Sequence, residues 1–179
     1  PGAPAPPPAP GCGTLAPAPV ARAVKGVDGV RHLASIVGLK GVLAVGRETI
    51  EVNSTGTSNV LKAVQGRRDL HRFVYFSTSE VFGQHAFRSD ETSNATVGGV
   101  GEARWTYAVC KRAEEHLAIA YWKERGLPTS VVRPFNIYGP GQTGEGALRT
   151  FIQRALKNQT IEIHGDGTHS PQRSFPRSR

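Results

Sequence analysis

Tyr107 and Lys111 lie four residues apart in Trp105-Thr-Tyr-Ala-Val-Cys-Lys111. On a helix that spacing puts a phenol and an ammonium on one face. Such a pair is a candidate acid/base with a built-in activator. A free phenol has a pKa of about 10, and lowering it by about 3 units takes about 4 kcal/mol of extra phenolate stabilisation. A neighbouring cation supplies that kind of energy. Upstream, Thr78 falls just past the β-rich run Phe73-Val-Tyr-Phe76, in Ser77-Thr-Ser-Glu80. A hydroxyl at the carboxyl end of a parallel strand is placed to reach a substrate oxygen; it is equally suited to capping a turn. Glu80 is a second acid/base candidate or a partner for a substrate hydroxyl, and otherwise a solvated loop acid. Downstream, Arg133-Pro-Phe-Asn-Ile-Tyr-Gly-Pro-Gly141 supplies Asn136, whose amide both donates and accepts. No His/Cys cluster has metal-binding spacing.

These groups need an α/β frame to hold them. Val27–Leu33 reads as a short buried strand, followed by a loop to Gly46. A helix is expected from about Glu48 to Gln65, where Ile50, Thr57, Val60, Leu61 and Val64 recur at near-helical spacing; Gly56 weakens it and Gly66 ends it. Arg72–Phe76 suits a central parallel strand buried on both faces. Residues 87–102, rich in Ser, Thr, Asn and Gly, form a loop able to lie over the site. The clearest helix runs from about Trp105 to Arg125, with Cys110, Ala113, Leu117 and Tyr121 as its apolar stripe, and Gly126 and Pro128 as its stop. Thr129–Arg133 and Thr160–Ile163 read as further strands, residues 146–158 as an amphipathic helix, and Tyr138–Gly141 as a turn. Strands alternating with helices imply βαβ crossovers and a parallel sheet.

The 179 residues suffice for one domain, and 38 % hydrophobic content suffices for a core. Basic residues outnumber acidic ones 22 to 14, a net charge of +8, but the charges are dispersed and no basic run exceeds Arg67-Arg68. That pattern fits a site for acidic small molecules and argues against a nucleic-acid partner. No stretch approaches the roughly 18 apolar residues of a membrane span, and the amino end lacks signal-peptide character. With only two cysteines, Cys12 and Cys110, the expectation is a soluble, reduced, cytoplasmic protein.

The blocks Phe73–Gly83, Trp105–Lys111 and Arg133–Gly141, in that order, resemble those of the extended short-chain dehydrogenase/reductase superfamily, in its branch of NAD-dependent nucleotide-sugar epimerases and dehydratases. The likeness runs from about Val27 to Gly167. A lone Tyr-x-x-x-Lys is weak evidence, whereas three ordered blocks are specific. The resemblance implies a Rossmann-like fold, NAD as cofactor and a nucleotide-sugar substrate; a homodimer is compatible with it. It assigns Thr78, rather than Ser77 or Ser79, as the catalytic hydroxyl. Tyr107 becomes the base that takes a sugar hydroxyl proton while the C4 hydride passes to NAD, and Lys111 also holds the nicotinamide ribose. Ala34, in His32-Leu-Ala-Ser35, lies beside the cofactor, and Pro134 and Phe135 lie against the nicotinamide. Ser79, Glu80 and Asn136 face the substrate, and Arg173 grips the nucleotide diphosphate by charge-assisted hydrogen bonds. His32 is expected to be structural, and Asn53-Ser-Thr-Gly-Thr-Ser-Asn59 resembles the helix that packs beside the family's site. The order Thr78-Ser-Glu80 resembles UDP-glucuronate decarboxylases, and Thr-Asp-Glu is the order of the sugar 4,6-dehydratases.

The family opens on a strand and a Gly-x-x-Gly-x-x-Gly turn whose helix receives the pyrophosphate. Before Val27 only Gly11-Cys-Gly13 stands in that region. The expected architecture is therefore an incomplete Rossmann-like parallel sheet flanked by helices, lacking the first glycine-rich βαβ unit and the C-terminal substrate lobe. Residues 1–23 are expected as a disordered Pro/Ala-rich lead, 24–167 as a partial epimerase/dehydratase domain, and 168–179 as an irregular basic tail. The competing reading is a catalytically inactive relic that keeps only a binding or subunit-contact role.

Overall fold

A computed structural model describes residues 13–37, 42, 45–84, 89–142, 146–162 and 173–174. Cys12, residues 163–172 and residues 175–179 lie outside that set. The chain divides between Arg133 and Pro134 into two compact units.

The first unit is built on a three-stranded parallel sheet in the order β1 (Gly29–His32), β2 (Arg72–Phe76), β3 (Thr129–Val132). The register pairs His32 with Tyr75 and Tyr75 with Val131. Helix α1 (Pro17–Ala23) comes first, in a stretch expected to be disordered. Its prolines explain the expectation, but Pro17 occupies the first helical position, where a missing N–H costs nothing. Val20 and Val24 are buried in the core, and Asn59 donates to the carbonyls of Thr14 and Leu15.

Between β1 and β2 runs a helix in three pieces: α2 (Gly46–Ile50), a π-helical turn (Glu51–Thr55) and α3 (Gly56–Val64). The widened turn faces Asn53 inward, where its amide exchanges hydrogen bonds with the backbone of Ile36 at 2.7 and 3.3 Å and fixes the loop after β1. Gly56 is where α3 touches Thr14; a side chain there would collide with the threonine. Its cost to helix propensity is the condition for that close approach.

Between β2 and β3 runs α4 (Thr106–Arg125), ended by Gly126 in the left-handed conformation. Leu61, Val64, Phe73, Tyr75, Ala118 and Leu127 are almost wholly buried where α3 and α4 meet the sheet. Each of the large ones contributes about 1.5–3 kcal/mol. Phe73 and Tyr75 are buried, but Val74 and Phe76 are only half-buried, so β2 is covered fully on one face rather than on both. The apolar stripe expected on α4 also differs. Ala113 is exposed, and the buried face consists of Ala108, Cys110, Lys111, Glu114, Glu115 and Ala118. Charged residues can sit there because each is paired: Arg133, at the end of β3, clasps Glu115 at 2.7 and 2.9 Å.

In the second unit, β4 (Asn136–Ile137) pairs in parallel with β5 (Arg173–Ser174), and α5 spans Ala147–Leu156 with no residue buried. Thr160–Glu162 is not a strand. Arg154 donates to the Thr160 carbonyl at 3.0 Å and pairs with Glu162 at 3.4 Å, folding that segment back onto the end of α5.

Candidate active site

Chemistry-bearing groups gather at the carboxyl end of β2, where the chain leaves the sheet and α4 packs against it. Thr78 is the N-cap of a short 3-10 helix (Ser79–Phe82), and its Oγ1 accepts from the Glu80 amide at 3.3 Å. That bond uses a lone pair of the hydroxyl and leaves its proton to be donated elsewhere. Capping and catalysis, weighed against each other on sequence, are compatible in one side chain. Ser79 lies in the same helical turn, and Ala34 in the exposed loop after β1.

Lys111 is 1 % exposed. Its Nζ donates to the Phe76 carbonyl at 3.0 Å, lies 4.8 Å from the centre of the Tyr75 ring and stands 3.8 Å from Glu114 Oε2. Burial pulls its pKa down, and Glu114 is the foremost influence pulling it back up. The same Nζ is 5.9 Å from the Tyr107 ring centre, so the spacing read from sequence does place phenol and ammonium together.

The direction of their coupling differs from the expected one. Burial first, and the Glu80 carboxylate second, push Tyr107 up to about 12; a hydrogen bond with the Ser35 hydroxyl offsets this only in part. Glu114 adds to the rise, because an anion held beside the lysine cancels much of the field that the ammonium projects toward the phenol. Glu80 is exposed as a residue, yet desolvation of its carboxyl raises it above the ordinary range, with Arg104 opposing.

Behind the lysine lies a buried polar network that sequence reasoning missed. Glu114 Oε2 accepts from Thr57 Oγ1 at 2.8 Å and from Tyr75 Oη at 2.6 Å. Since Thr57 gives its only proton to the carboxylate, it must accept from His32, 2.9 Å away, which makes His32 the Nε2–H tautomer. Burial, with Lys111 second, lowers His32 to about 4, so the ring is neutral near pH 7. Its expected structural role fits that arrangement. Glu114 could have been noticed from its i+3 offset to Lys111; the contacts of Thr57 and Tyr75 depend on tertiary packing.

Pro134, Phe135, Asn136 and Arg173 belong to the second unit, where Asn136 and Arg173 are register partners in the β4–β5 ladder. Two residues quoted for substrate contacts, far apart in sequence, thus become neighbours in backbone pairing. Among the described residues no cluster of His, Cys, Asp and Glu could hold a metal ion, and no helix is long and apolar enough to cross a membrane.

Residues 11–175 match the family model described as the NAD dependent epimerase/dehydratase family. The chain is 39 % identical over 144 residues to a UDP-N-acetyl-alpha-D-glucosaminuronate decarboxylase of Bacillus cytotoxicus, covering 78 % of this chain and 44 % of that protein. It is 29 % identical over 150 residues to a dTDP-D-glucose 4,6-dehydratase of Dictyostelium discoideum, covering 80 % and 34 %. Among solved structures, a UDP-glucuronic acid 4-epimerase of Bacillus cereus in complex with UDP-glucuronic acid and NAD aligns with a TM-score of 0.74 at 27 % identity, covering 87 % of this chain and 48 % of that one. The dTDP-glucose 4,6-dehydratase DesIV of Streptomyces venezuelae, with NAD bound, aligns with a TM-score of 0.77 at 27 % identity, covering 91 % and 49 %. The chain therefore spans about half, or less, of the length of these relatives. With a parallel sheet, flanking helices and a Tyr–Lys pair seated at its carboxyl edge, the chain belongs to the NAD-dependent epimerase/dehydratase family.

Proposed function

We propose that the chain carries the catalytic centre of an NAD-dependent enzyme that acts on a nucleotide sugar through transient oxidation at C4. The observation that carries this reading is the buried Lys111 ammonium, anchored on the Phe76 carbonyl with Nζ 5.9 Å from the Tyr107 ring. The donor set fits a nicotinamide ribose. Of three N–H bonds on Lys111, Phe76 takes one and Glu114, at 3.8 Å, lies beyond hydrogen-bond distance, so donor capacity remains for vicinal hydroxyls. NAD, when bound, accepts the C4 hydride and later returns it. Tyr107 takes the proton of the C4 hydroxyl as the carbonyl forms, and Thr78 donates to the same oxygen. Tyr107 must be a phenolate to do so, and its value of about 12 makes turnover rise with pH across the neutral range. Glu80, with its raised carboxyl, orients a sugar hydroxyl or acts as a second acid/base. The family resemblance supports assigning Asn136 and Arg173 to the sugar and the diphosphate, and Ala34, Pro134 and Phe135 to the cofactor.

The order Thr78-Ser-Glu80 and the Bacillus cytotoxicus relative favour, within this class, a decarboxylase-type outcome for the 4-keto intermediate. The test is titration of the full chain with NAD, followed by NMR of its products from UDP-glucuronic acid and UDP-glucose. Micromolar NAD affinity and a converted sugar support the proposal. No binding at millimolar NAD leaves the non-enzymatic reading. Tyr107→Phe should reduce turnover by about 10²–10⁴-fold while changing NAD affinity far less.

A further inference from the structure

The buried polar network contains more charge than a structural tie between strands and helices requires. Glu114 is 2 % exposed and accepts two short hydrogen bonds on one oxygen, while its Oε1 has no partner. Replacing it with an apolar residue would cost nothing in helix propensity, since several helix formers are available. What only a carboxylate provides is a negative charge 3.8 Å from Lys111 Nζ. Its position is fixed from two sides, by Tyr75 on β2 and by Thr57 on α3, with His32 on β1 holding Thr57 in turn.

We propose that Glu114 is a positioning residue for Lys111: its anchored carboxylate supplies the counter-charge that keeps the buried amine an ammonium and holds Nζ between the Phe76 carbonyl and the Tyr75 ring. The groups that face Lys111 are Tyr107, Cys110, Glu114 and Glu115 on its own helix, Tyr75 on β2 and His32 on β1. His32 is neutral and Glu115 is engaged by Arg133, so Glu114 is the nearest anion able to offset desolvation. The cost falls on Tyr107, whose phenolate the same anion disfavours. Glu114 therefore keeps the cation in place at the expense of phenol acidity in the chain alone. The proposal rests on the functional reading only for the importance of Lys111.

The test reads the charge of Lys111 directly. The full chain has six lysines, few enough for ε-carbon NMR of chain labelled with [ε-13C]lysine, with Lys111 assigned by Lys111→Arg. In Glu114→Gln, which keeps an acceptor for Thr57 and Tyr75 but removes the charge, the Lys111 titration midpoint should fall by about one pH unit or more. Glu114→Asp, which keeps the charge but draws it back by a methylene, should produce a smaller fall, and it decides the matter if the Gln variant does not fold. An unchanged or raised midpoint in a folded variant overturns the proposal. The measurement needs neither NAD nor turnover, so a chain that fails to bind NAD yet shows the shift sinks the functional reading alone.

Discussion

Two edges of one sheet carry cations, and they differ in how those cations are held. At the amino edge, a cavity of about 470 Å³ is lined by Gly66, Arg67, Arg68, Arg125, Gly126, Leu127 and Pro128. Arg67 there grips Asp69 with two nitrogens and also donates to the carbonyls of Val24 and Val27. Its partner is mostly exposed, and the guanidinium stays charged at every relevant pH. At the carboxyl edge, Lys111 is sealed from water against a carboxylate, and Tyr107, Glu80 and His32 around it are all displaced from their ordinary values. The amino edge has several arginines and an open hollow. The carboxyl edge has groups whose protonation can change. Burial of titratable side chains, rather than number of cations or size of cavity, is what distinguishes the two edges.

Removing one cation from each edge should have the largest and most unequal effects. Lys111→Met leaves Glu114 buried without a counter-charge and should lower stability by about 3–5 kcal/mol in urea unfolding. Arg68→Ala, at an exposed cation lining the amino-edge hollow, should hardly move the midpoint. Equal losses would show that the two edges do not differ as described. A second, somewhat smaller effect follows from His32. Its folded-state value of about 4 lies below its ordinary value, so the folded chain binds fewer protons, and the stability gained from the neutral ring is present above about pH 6.5 and lost as pH falls toward 4. The loss over that window is about 3 kcal/mol. Urea unfolding at pH 7 and pH 4 should show it in the parent and show it reduced in His32→Asn; identical pH dependence would argue against a buried neutral histidine. The smallest effect concerns Glu80. Glu80→Gln removes the second-ranking cause of the raised Tyr107 and should lower its ultraviolet titration midpoint from about 12 by less than about one unit. A midpoint that stays fixed would detach Glu80 from the phenol.

Much of the frame was legible because it obeys simple periods. Arg72–Phe76 is a strand with the bounds that its β-branched and aromatic run suggested, and the long helix starts within a residue of its expected position and stops where Gly126 permits a left-handed turn. Periodicity failed where the buried face is not apolar. Ala113 was assigned to the core and is exposed, while Lys111, Glu114 and Glu115 took the inward positions. A pattern of apolar residues is blind to ions that neutralise one another across elements. The helix at Pro17–Ala23 was hidden for a related reason: its stability comes from Val20 and Val24 docking onto a core formed by later residues. For the site, residue types and spacing sufficed to bring Tyr107 beside Lys111. They did not reveal that the phenol is made less acidic, because that depends first on burial and then on Glu80, both set by tertiary packing.

The π-helical turn at Glu51–Thr55 sets the length of its helix to the residue. Deleting one residue to restore a regular helix would rotate Gly56–Val64 by about 100° against Gly46–Ile50. Either Asn53 would swing off Ile36 or Thr57 would swing off Glu114, since both grips lie on opposite sides of the join. The irregular turn therefore works as a phase adjuster, letting one rod serve two docking angles. A redesign that idealised it would be expected to straighten the rod and unseat the carboxylate beneath the lysine.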